Sequence, residues 1–319
     1  MDETGKLDAK TADDKLYDAL EQRTVNFETD EGELLWHYTT WEGLKGIFTK
    51  QELWASNARC LNDHGELEVA REILRSHLAD SPHDHLKTNL DGIFDRMKLP
   101  DAAPYIACLS AAFDSLGQWR GYATTAPSFA VGFNRVKLEK LVEMTSGFEV
   151  RKCAYSDEGH RIAVRAYLDP LDKLYRDLER QNEGKDPRAR NVWMGFGRVH
   201  SKAQGRTYLV QRLAAQIKHR RFQPELEYRL IGHWQSHLVK MDWFTRGALV
   251  VPFLRLPIVR LGNGDRVGLP IEAVLVGATP HPEMTVNVVQ MMVEQLRVLL
   301  APMQQLINVT NSRIPFRNW

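Results

Sequence analysis

The sequence predicts a mixed α+β domain that carries a helical insertion. Short apolar segments of four to seven residues, typical of buried strands, alternate along the chain with single helices of unequal length. The 319 residues, 43% of them hydrophobic and 26% charged, suffice for a large core and have the composition of a globular protein. Residues 34–319 are therefore expected to form one domain, into which the mainly helical residues 157–219 are inserted.

The first half of the domain alternates strands and helices. Apolar residues predict the strand Leu34–Thr39, and the spacing of Leu44, Ile47 and Phe48 predicts a helix after it. Further apolar runs predict three strands, and amphipathic or capped segments predict two helices. These elements are the strands Leu53–Asn57, Tyr105–Ser110 and Ser128–Phe133 and the helices Gly65–Ala79 and Asp114–Tyr122, the last with Asp114 as its N-cap.

The second half is predicted to be richer in strands. A helix at Pro282–Leu300 follows from Val286, Val289 and Val293, which recur at intervals of three and four residues. The dipeptide Asn263-Gly264 lies between β-type segments and predicts a hairpin turn. The predicted strands are Phe148–Tyr155, Glu227–His233, the segments after Ala248 that Pro257, Asn263-Gly264 and Pro270 separate, Ile271–Gly277 and Leu306–Phe316.

Charge and targeting signals narrow the class of protein. Residues 1–33 hold eleven acidic and four basic side chains and few large apolar ones, which indicates a flexible or helical arm outside the domain. The whole chain is nearly neutral, with 42 basic and 41 acidic residues, so no general affinity for nucleic acid or a membrane surface is expected. Neither a membrane-spanning segment nor a secretory signal is visible, and the three cysteines form no close pair. We expect a cytoplasmic protein.

The segment Pro224–Ile231 carries the strongest chemical signal. If the chain is extended from Glu225 onward, the side chains of Glu225, Glu227 and Arg229 share one face of a strand. Two carboxylates this close raise the pKa of one of them, while the guanidinium favours the ionised form of its neighbour. Such a pair can hold one carboxylate charged beside another that accepts a proton. A solvent-exposed sheet face with a surface ion pair explains the same spacing.

Several weaker signals each have a structural explanation as well. His37 alternates with Thr39 along the first strand, but an isolated histidine is more often a core residue that bonds to the backbone. Trp119 and Tyr122 share a helical face, which packing alone explains. Asn57 lies between a strand and a helix, as a capping residue would.

Known motifs for metals and phosphates are missing. His64 and the other histidines near it have no helical ligand spacing, so no metal site is expected. No Gly-rich dinucleotide fingerprint, phosphate-binding loop or serine-hydrolase elbow is present. From Arg188 to Arg229, however, the sequence has ten basic residues and only two acidic ones. The run Lys218-His219-Arg220-Arg221 comes shortly before the carboxylate segment. This bias would attract phosphate, although a solvated helical face accounts for it equally.

In combination, these segments resemble the bacterial family known as domain of unknown function 2971. The similarity runs in order through most of residues 34–317 and is carried by short motifs. They are His37-Tyr38-Thr39, Leu53 to Asn57, Leu61-Asn62-Asp63 with Glu66, Cys108-Leu109-Ser110, Ser115-Leu116 with Trp119 and Tyr122, Phe129 to Phe133, Glu225-x-Glu227-Tyr228-Arg229-Leu230, Val276-Gly277 and Ser312 to Arg317.

That family is in turn similar to the ADP-ribosyltransferase fold, a split β-sheet that binds NAD in a central cleft. By this resemblance His37 would hold the adenosine ribose, Glu227 would bond to the nicotinamide ribose and Glu225 would handle the acceptor. The tyrosine that packs on nicotinamide would be Tyr122, with Trp119 beside it. Tyr105 remains an alternative, whereas Tyr38 points away from His37. Thr39, Asn57 and Arg229 would also contact NAD.

The resemblance implies an enzyme that cleaves the nicotinamide–ribose bond of NAD. ADP-ribose would pass to an unknown protein or nucleic-acid acceptor, or to water in an NAD glycohydrolase. A role as a toxin or in phage defence would follow, with an antitoxin as a further partner. One alternative is a non-catalytic nucleic-acid or nucleotide-binding module that uses the basic stretch. Another is a metal-dependent nuclease or phosphoryl-transfer enzyme built from Asp63, His64 and Glu227.

Overall fold

The fold is known from a computed structural model of the chain. It describes residues 34–61, 65–79, 91–99, 101–122, 127–145, 147–165, 180, 210–233, 241–258, 270–299 and 306–315. The predicted N-terminal arm, the Asn263-Gly264 turn, Asp63, His64 and most of the insertion lie outside these residues. Within the insertion, residues 157–165 and 210–216 are helical, as the sequence predicts.

The described residues form a mixed α+β structure, which confirms the predicted class. The strands are β1 (Leu34–Thr40), β2 (Glu52–Asn57), β3 (Tyr105–Ser110), β4 (Ser128–Asn134), β5 (Phe148–Lys152), β6 (Glu227–Gly232), β7 (Met241–Arg246), β8 (Leu249–Pro257), β9 (Ile271–Val276) and β10 (Asn308–Asn311). The helices are α1 (Trp41–Lys50), α2 (Glu66–Ala79), α3 (Leu116–Tyr122), α4 (Arg135–Glu143) and α5 (Pro282–Leu299). Two 3₁₀ helices cover Ala58–Cys60 and Arg220–Glu225.

These ten strands build one mostly antiparallel sheet. Its main order is β10-β9-β4-β1-β3-β2-β8-β7, and β6 pairs with both β3 and β5. The pairing of β10 with β9 is parallel, and the other strand pairs are antiparallel.

The sheet is divided where β1 and β2 meet β3. Strand β6 pairs along the whole of β3, from Tyr105 to Ser110. On the other edge of β3, β2 pairs only at Tyr105 and Ile106, and β1 pairs only at Ser110. Strands β1 and β2 therefore separate along the middle of β3, which leaves a gap in the sheet.

One face of the sheet packs against α1, α4 and α5. Helix α1 begins after Thr40, whose hydroxyl accepts a hydrogen bond from the amide of Gly43, and it buries Leu44, Ile47 and Phe48. Burial of each of these three side chains contributes about 1.5–3 kcal/mol to folding. They join a single core with apolar side chains of α4, α5 and the sheet, so α1 is fixed beside the gap.

Smaller apolar clusters lie on the opposite face. Trp36 and Tyr38 of β1 pack with Trp119 of α3. Helix α2 packs through Leu67, Ala70 and Leu74 on the helical residues 157–165 and 210–216. The two ends of the insertion thus rest on α2, beside β6.

Several sequence predictions need correction. Helix α3 begins at Leu116, two residues after the predicted cap Asp114. The Asp114 carboxylate instead accepts hydrogen bonds from the indole of Trp119, the hydroxyl of Ser312 and the amide of Arg313. This carboxylate joins α3 to the segment after β10.

Two strands differ from the prediction in their bounds, and two further elements were not predicted. Strand β5 ends at Lys152 rather than Tyr155, and β10 is shorter than the predicted Leu306–Phe316. Helix α4 and strand β7 were not predicted. The α4 signal was present in Asn134, whose side chain accepts from the amide of Lys137 and caps the helix.

Candidate active site

His37 lies at the gap between β1 and β2. Its Nδ1 atom is 2.9 Å from the carbonyl oxygen of Cys108, in the part of β3 where neither β1 nor β2 pairs. Because a carbonyl only accepts hydrogen bonds, Nδ1 carries the proton and Nε2 of the neutral ring keeps its lone pair. Burial lowers the pKa of His37, and the bond to Cys108 opposes this effect only partly. The ring is therefore a neutral acceptor at pH 7.

The neighbours of His37 on β1 face the other way, as strand alternation predicts. The hydroxyl of Tyr38 donates to the carbonyl of Ala112 at 2.8 Å and accepts from the amide of Ser115 at 3.1 Å. The Tyr38 ring contacts Trp119 edge-on, with a centroid distance of 4.8 Å. Both hydrogen bonds of Tyr38 fix the start of α3, which carries Tyr122.

An inner cavity of about 120 Å³ brings four of the predicted site residues together. His37, Tyr122, Glu225 and Glu227 all line it, along with Cys108 of β3. Tyr122 ends α3 and keeps 37% of its surface exposed. The pKa of Tyr122 is raised by the Cys108 thiol group, by burial of the hydroxyl and by the two carboxylates. Its hydroxyl therefore keeps its proton across the physiological range and can donate a hydrogen bond.

Glu227, at the start of β6, is buried in a network of charges. Its side chain is 3% exposed. Its Oε1 accepts from Nε of Arg229 at 2.8 Å, and its Oε2 lies 2.5 Å from Nζ of Lys218. Glu66 of α2 binds the other side of Arg229 with both oxygens, at 2.7 and 2.6 Å. The prediction that Glu227 and Arg229 share a face is confirmed, and the alternative of a surface ion pair is wrong.

These contacts determine the charge of Glu227. Burial by itself would raise the pKa of this carboxyl. The positive charges of Arg229 and Lys218, with hydrogen bonds from Arg229 and the Cys108 thiol, overcome that effect and lower the pKa to about 2. Glu227 therefore stays ionised at every pH at which the protein is expected to work.

Glu225 lines the same cavity, but the backbone conformation that places it there was not predicted from the sequence. It ends the 3₁₀ helix Arg220–Glu225 rather than continuing β6, and Leu226 adopts a left-handed conformation with φ 42°. Its Oε2 lies 2.5 Å from Nζ of Lys218, and its side chain is 26% exposed. The turn at Leu226 thus places Glu225 as the more accessible carboxylate, beside Glu227.

Four predicted ligand contacts are not supported. Trp119 is 2% exposed and belongs to the core, so packing explains it and stacking on nicotinamide is dropped. Asn57 is fully buried and caps the 3₁₀ helix at Arg59, as the structural interpretation predicted. Tyr105 is also fully buried. The Nε, Nη1 and Nη2 atoms of Arg229 all donate hydrogen bonds within the protein, so the predicted contact of this guanidinium with NAD is not supported.

An outer cavity of about 760 Å³ adjoins the inner one. His37, Tyr38 and Tyr122 line both cavities, and Thr39 lies in the outer one. Further lining comes from α1, β2 and β7. The outer volume lies in the range of about 300–1,000 Å³ that is usual for ligand sites. The two cavities share these residues beside the gap in the sheet, and together they are called the cleft.

Three residues in or beside this cleft were not predicted to have a role there. Lys218 was counted in a basic surface stretch, but it is buried between Glu225 and Glu227. Glu66 and Cys108 appeared only as parts of motifs. The close spacing of Lys218 to the Glu-x-Glu segment was the one available signal for the first of these. Among the residues that the structure describes, no group of three or more His, Cys, Asp or Glu side chains is placed to hold a metal ion.

Comparison with known proteins gives one match. The model of a family described as a protein of unknown function, DUF2971, matches residues 118–230. This range contains Tyr122, Lys218, Glu225 and Glu227. No curated protein and no solved structure matches the chain. Within the described part of the chain, every helix is too short or too polar to cross a membrane. The predicted resemblance to this family is thereby confirmed over residues 118–230.

Proposed function

We propose that the protein is an ADP-ribosyltransferase-like enzyme that cleaves NAD at the nicotinamide–ribose bond. The observation that carries this proposal is the convergence of His37, Tyr122, Glu225 and Glu227 on one inner cavity. Its continuation into an outer cavity of about 760 Å³ offers room for the rest of a dinucleotide. The split between β1 and β2 agrees with a split-sheet fold of the ADP-ribosyltransferase type.

The ionised Glu227 carboxylate supplies the central chemical step. Cleavage passes through an oxocarbenium-like state, which a fixed negative charge stabilises. Lys218 and Arg229 offset part of this charge, but the cluster also contains Glu66 and Glu225. With all five groups ionised, three carboxylates face two cations and a net charge of −1 remains. That remaining charge favours the cationic transition state.

The other cavity residues have complementary roles in this proposal. Nε2 of His37 accepts a hydrogen bond from a ribose hydroxyl, since its lone pair has no partner among the described residues. Tyr122 contacts the nicotinamide ring. Glu225, the more exposed carboxylate, removes a proton from the acceptor. The acceptor is a protein or a nucleic acid, or water in an NAD glycohydrolase, and the setting is a cytoplasmic toxin or phage-defence protein controlled by an antitoxin.

Release of nicotinamide from NAD by the purified protein tests the proposal, with and without cell extract as a source of acceptor. Glu227→Gln is expected to lower the rate by about 10²–10³-fold. Glu272→Gln is the matched control, because Glu272 is also buried on a strand and pairs with a lysine, Lys137, but does not line the cleft. Absence of release by the wild type under both conditions, or full activity of Glu227→Gln, would reject the enzyme.

A second candidate is a nucleic-acid-binding module. Arg220 and Arg221 are exposed on the 3₁₀ helix that ends at Glu225, so both cations lie near the cleft. This function predicts salt-dependent binding of a single-stranded oligonucleotide, with a salt slope that falls by about one for each arginine removed. It also predicts that Glu227→Gln binds as the wild type does, which separates it from the enzyme.

A further inference from the structure

An aromatic wall closes the outer cavity on the side of β2 and β7. Trp54 of β2 and Phe244 of β7 both line the cavity. Trp54 is stacked on Phe253 of β8, with ring centroids 4.1 Å apart and an angle of 27°. Its indole Nε1 donates to Glu52 at 3.2 Å. Since Phe253 and Glu52 hold the indole in place, Trp54 presents a fixed ring to the cavity.

The face of Trp54 that is not stacked on Phe253 is covered by a lysine. Nζ of Lys50 lies 4.3 Å from the centre of the Trp54 ring. The Lys50 side chain is exposed and lies in the last turn of α1. An exposed cation–π contact of this kind is weaker than the stacking of a nucleobase on an aromatic ring, so a base can replace the ammonium group.

The charges around the wall favour a phosphate. Lys45, Lys50 and Arg246 line the outer cavity with two acidic residues, Glu42 and Glu52. Glu52 is paired with Arg255 at 2.9 Å. Because Glu52 is already paired, the three cations outnumber the remaining carboxylate, that of Glu42.

We propose that the wall binds a nucleoside phosphate, whose base stacks on Trp54 and whose phosphate is held by Lys50 and Arg246. The inference rests on the proposed function, because it assigns the adenosine phosphate end of NAD to the outer cavity. Lys50 has two positions in this arrangement. It covers Trp54 in the empty cleft and moves to the phosphate when the base enters.

Calorimetric titration with ADP tests the site, since ADP carries the base and phosphates without nicotinamide. Trp54→Leu is expected to weaken ADP binding by about tenfold or more. The matched control is Trp243→Leu, because Trp243 lies on β7 next to Phe244 and is 59% exposed but does not line the cavity. Equal affinity of wild type and Trp54→Leu, or no binding of ADP, would overturn the assignment.

A second variant keeps the test valid if Trp54→Leu folds poorly. Lys50→Gln changes an exposed side chain and is expected to weaken ADP binding and reduce its salt dependence. An unchanged salt dependence in Lys50→Gln contradicts the phosphate contact. A single-stranded oligonucleotide that binds more tightly than ADP, and loses affinity in Trp54→Leu, would assign the base to a nucleic-acid strand and overturn the dinucleotide assignment.

The outcome is separable from that of the proposed function. Binding of ADP that depends on Trp54, in a protein that releases no nicotinamide, would retain the nucleotide site and reject the enzyme. Nicotinamide release with the same KM for NAD in Trp54→Leu as in the wild type would retain the enzyme and reject this site.

Discussion

Glu66 binds a single nitrogen of Arg229, Nη2, with both of its carboxylate oxygens. The two residues are 163 positions apart in the chain. The same guanidinium also bonds to Glu227, which accepts a hydrogen bond from Nε of Arg229 at 2.8 Å. Glu66 therefore fixes the orientation of the carboxylate in the inner cavity although it does not line that cavity.

Replacing Glu66 should destabilise the protein strongly. In Glu66→Ala the Arg229 guanidinium loses a buried partner, a change that costs about 3–5 kcal/mol of unfolding free energy. Urea unfolding measures this loss. The control is Glu139→Ala, which breaks a half-exposed pair with Arg135 on α4 and should cost less than about 1 kcal/mol. Similar losses in the two variants would mean that the Glu66–Arg229 pair is not buried as described.

Acid should remove the contribution of Glu227 to stability. Its pKa is about 2 in the folded protein against 4.5 for the unperturbed group. A lowered pKa stabilises the fold above the unfolded value, so the contribution of about 3 kcal/mol is complete above pH 5 and is lost as the pH falls toward 2. Urea unfolding between pH 7 and 3 measures it.

The comparison variant for this acid effect is the double substitution Lys218→Met with Glu227→Gln, which removes both members of the pair. It should show a shallower fall in stability between pH 5 and 3 than the wild type. The same slope in both proteins would mean that other carboxyl groups account for the acid effect.

Local patterns predicted much of the sheet but not the burial of the charge network. The strand Leu34–Thr39 and the helix after it could be predicted, because the spacing of their apolar residues is visible in a short stretch of sequence. The edge strand β7 was missed because its residues are largely exposed and, within the described part of the chain, it pairs with β8 alone. Alternation placed Glu227 and Arg229 on one face. Their burial depends on Glu66 and Lys218, which only tertiary folding brings near.

A similar limit applies to the aromatic residues of α3. The sequence placed Trp119 and Tyr122 on one helical face and gave no reason to separate their roles. In the structure Trp119 packs on Tyr38 and bonds to Asp114, whereas Tyr122 lies at the end of the helix and lines the cavity. The difference arises from the position of α3 against β1, which no local pattern contains.

Gly277 should not tolerate a side chain. A Cβ atom there would lie 2.9 Å from the Trp119 ring and would also clash with the hydroxyl of Ser128. Gly277→Ala is expected to cost about 1–3 kcal/mol, because the Trp119 ring on α3 must shift. The control is Gly92→Ala, where a Cβ meets no atom within 4 Å and which should be neutral or stabilising. Thermal unfolding of both variants measures the difference, and equal effects would contradict the close contact with Trp119.

His37 should lose its second ring proton at a lower pH than an ordinary histidine, and the neutral ring should carry its proton on Nδ1. Burial lowers its pKa from the usual 6.5, and the Cys108 carbonyl at 2.9 Å selects the Nδ1–H form. Nitrogen-15 spectra of the imidazole rings report both features, and His37→Gln identifies the signal by removing it. Only the Nδ1–H form leaves Nε2 able to accept a hydrogen bond from a ribose hydroxyl in the cleft. A ring that is mainly imidazolium at pH 6.5, or a proton on Nε2 of the neutral ring, would therefore remove the role proposed for His37 even if the ring lies where it is described.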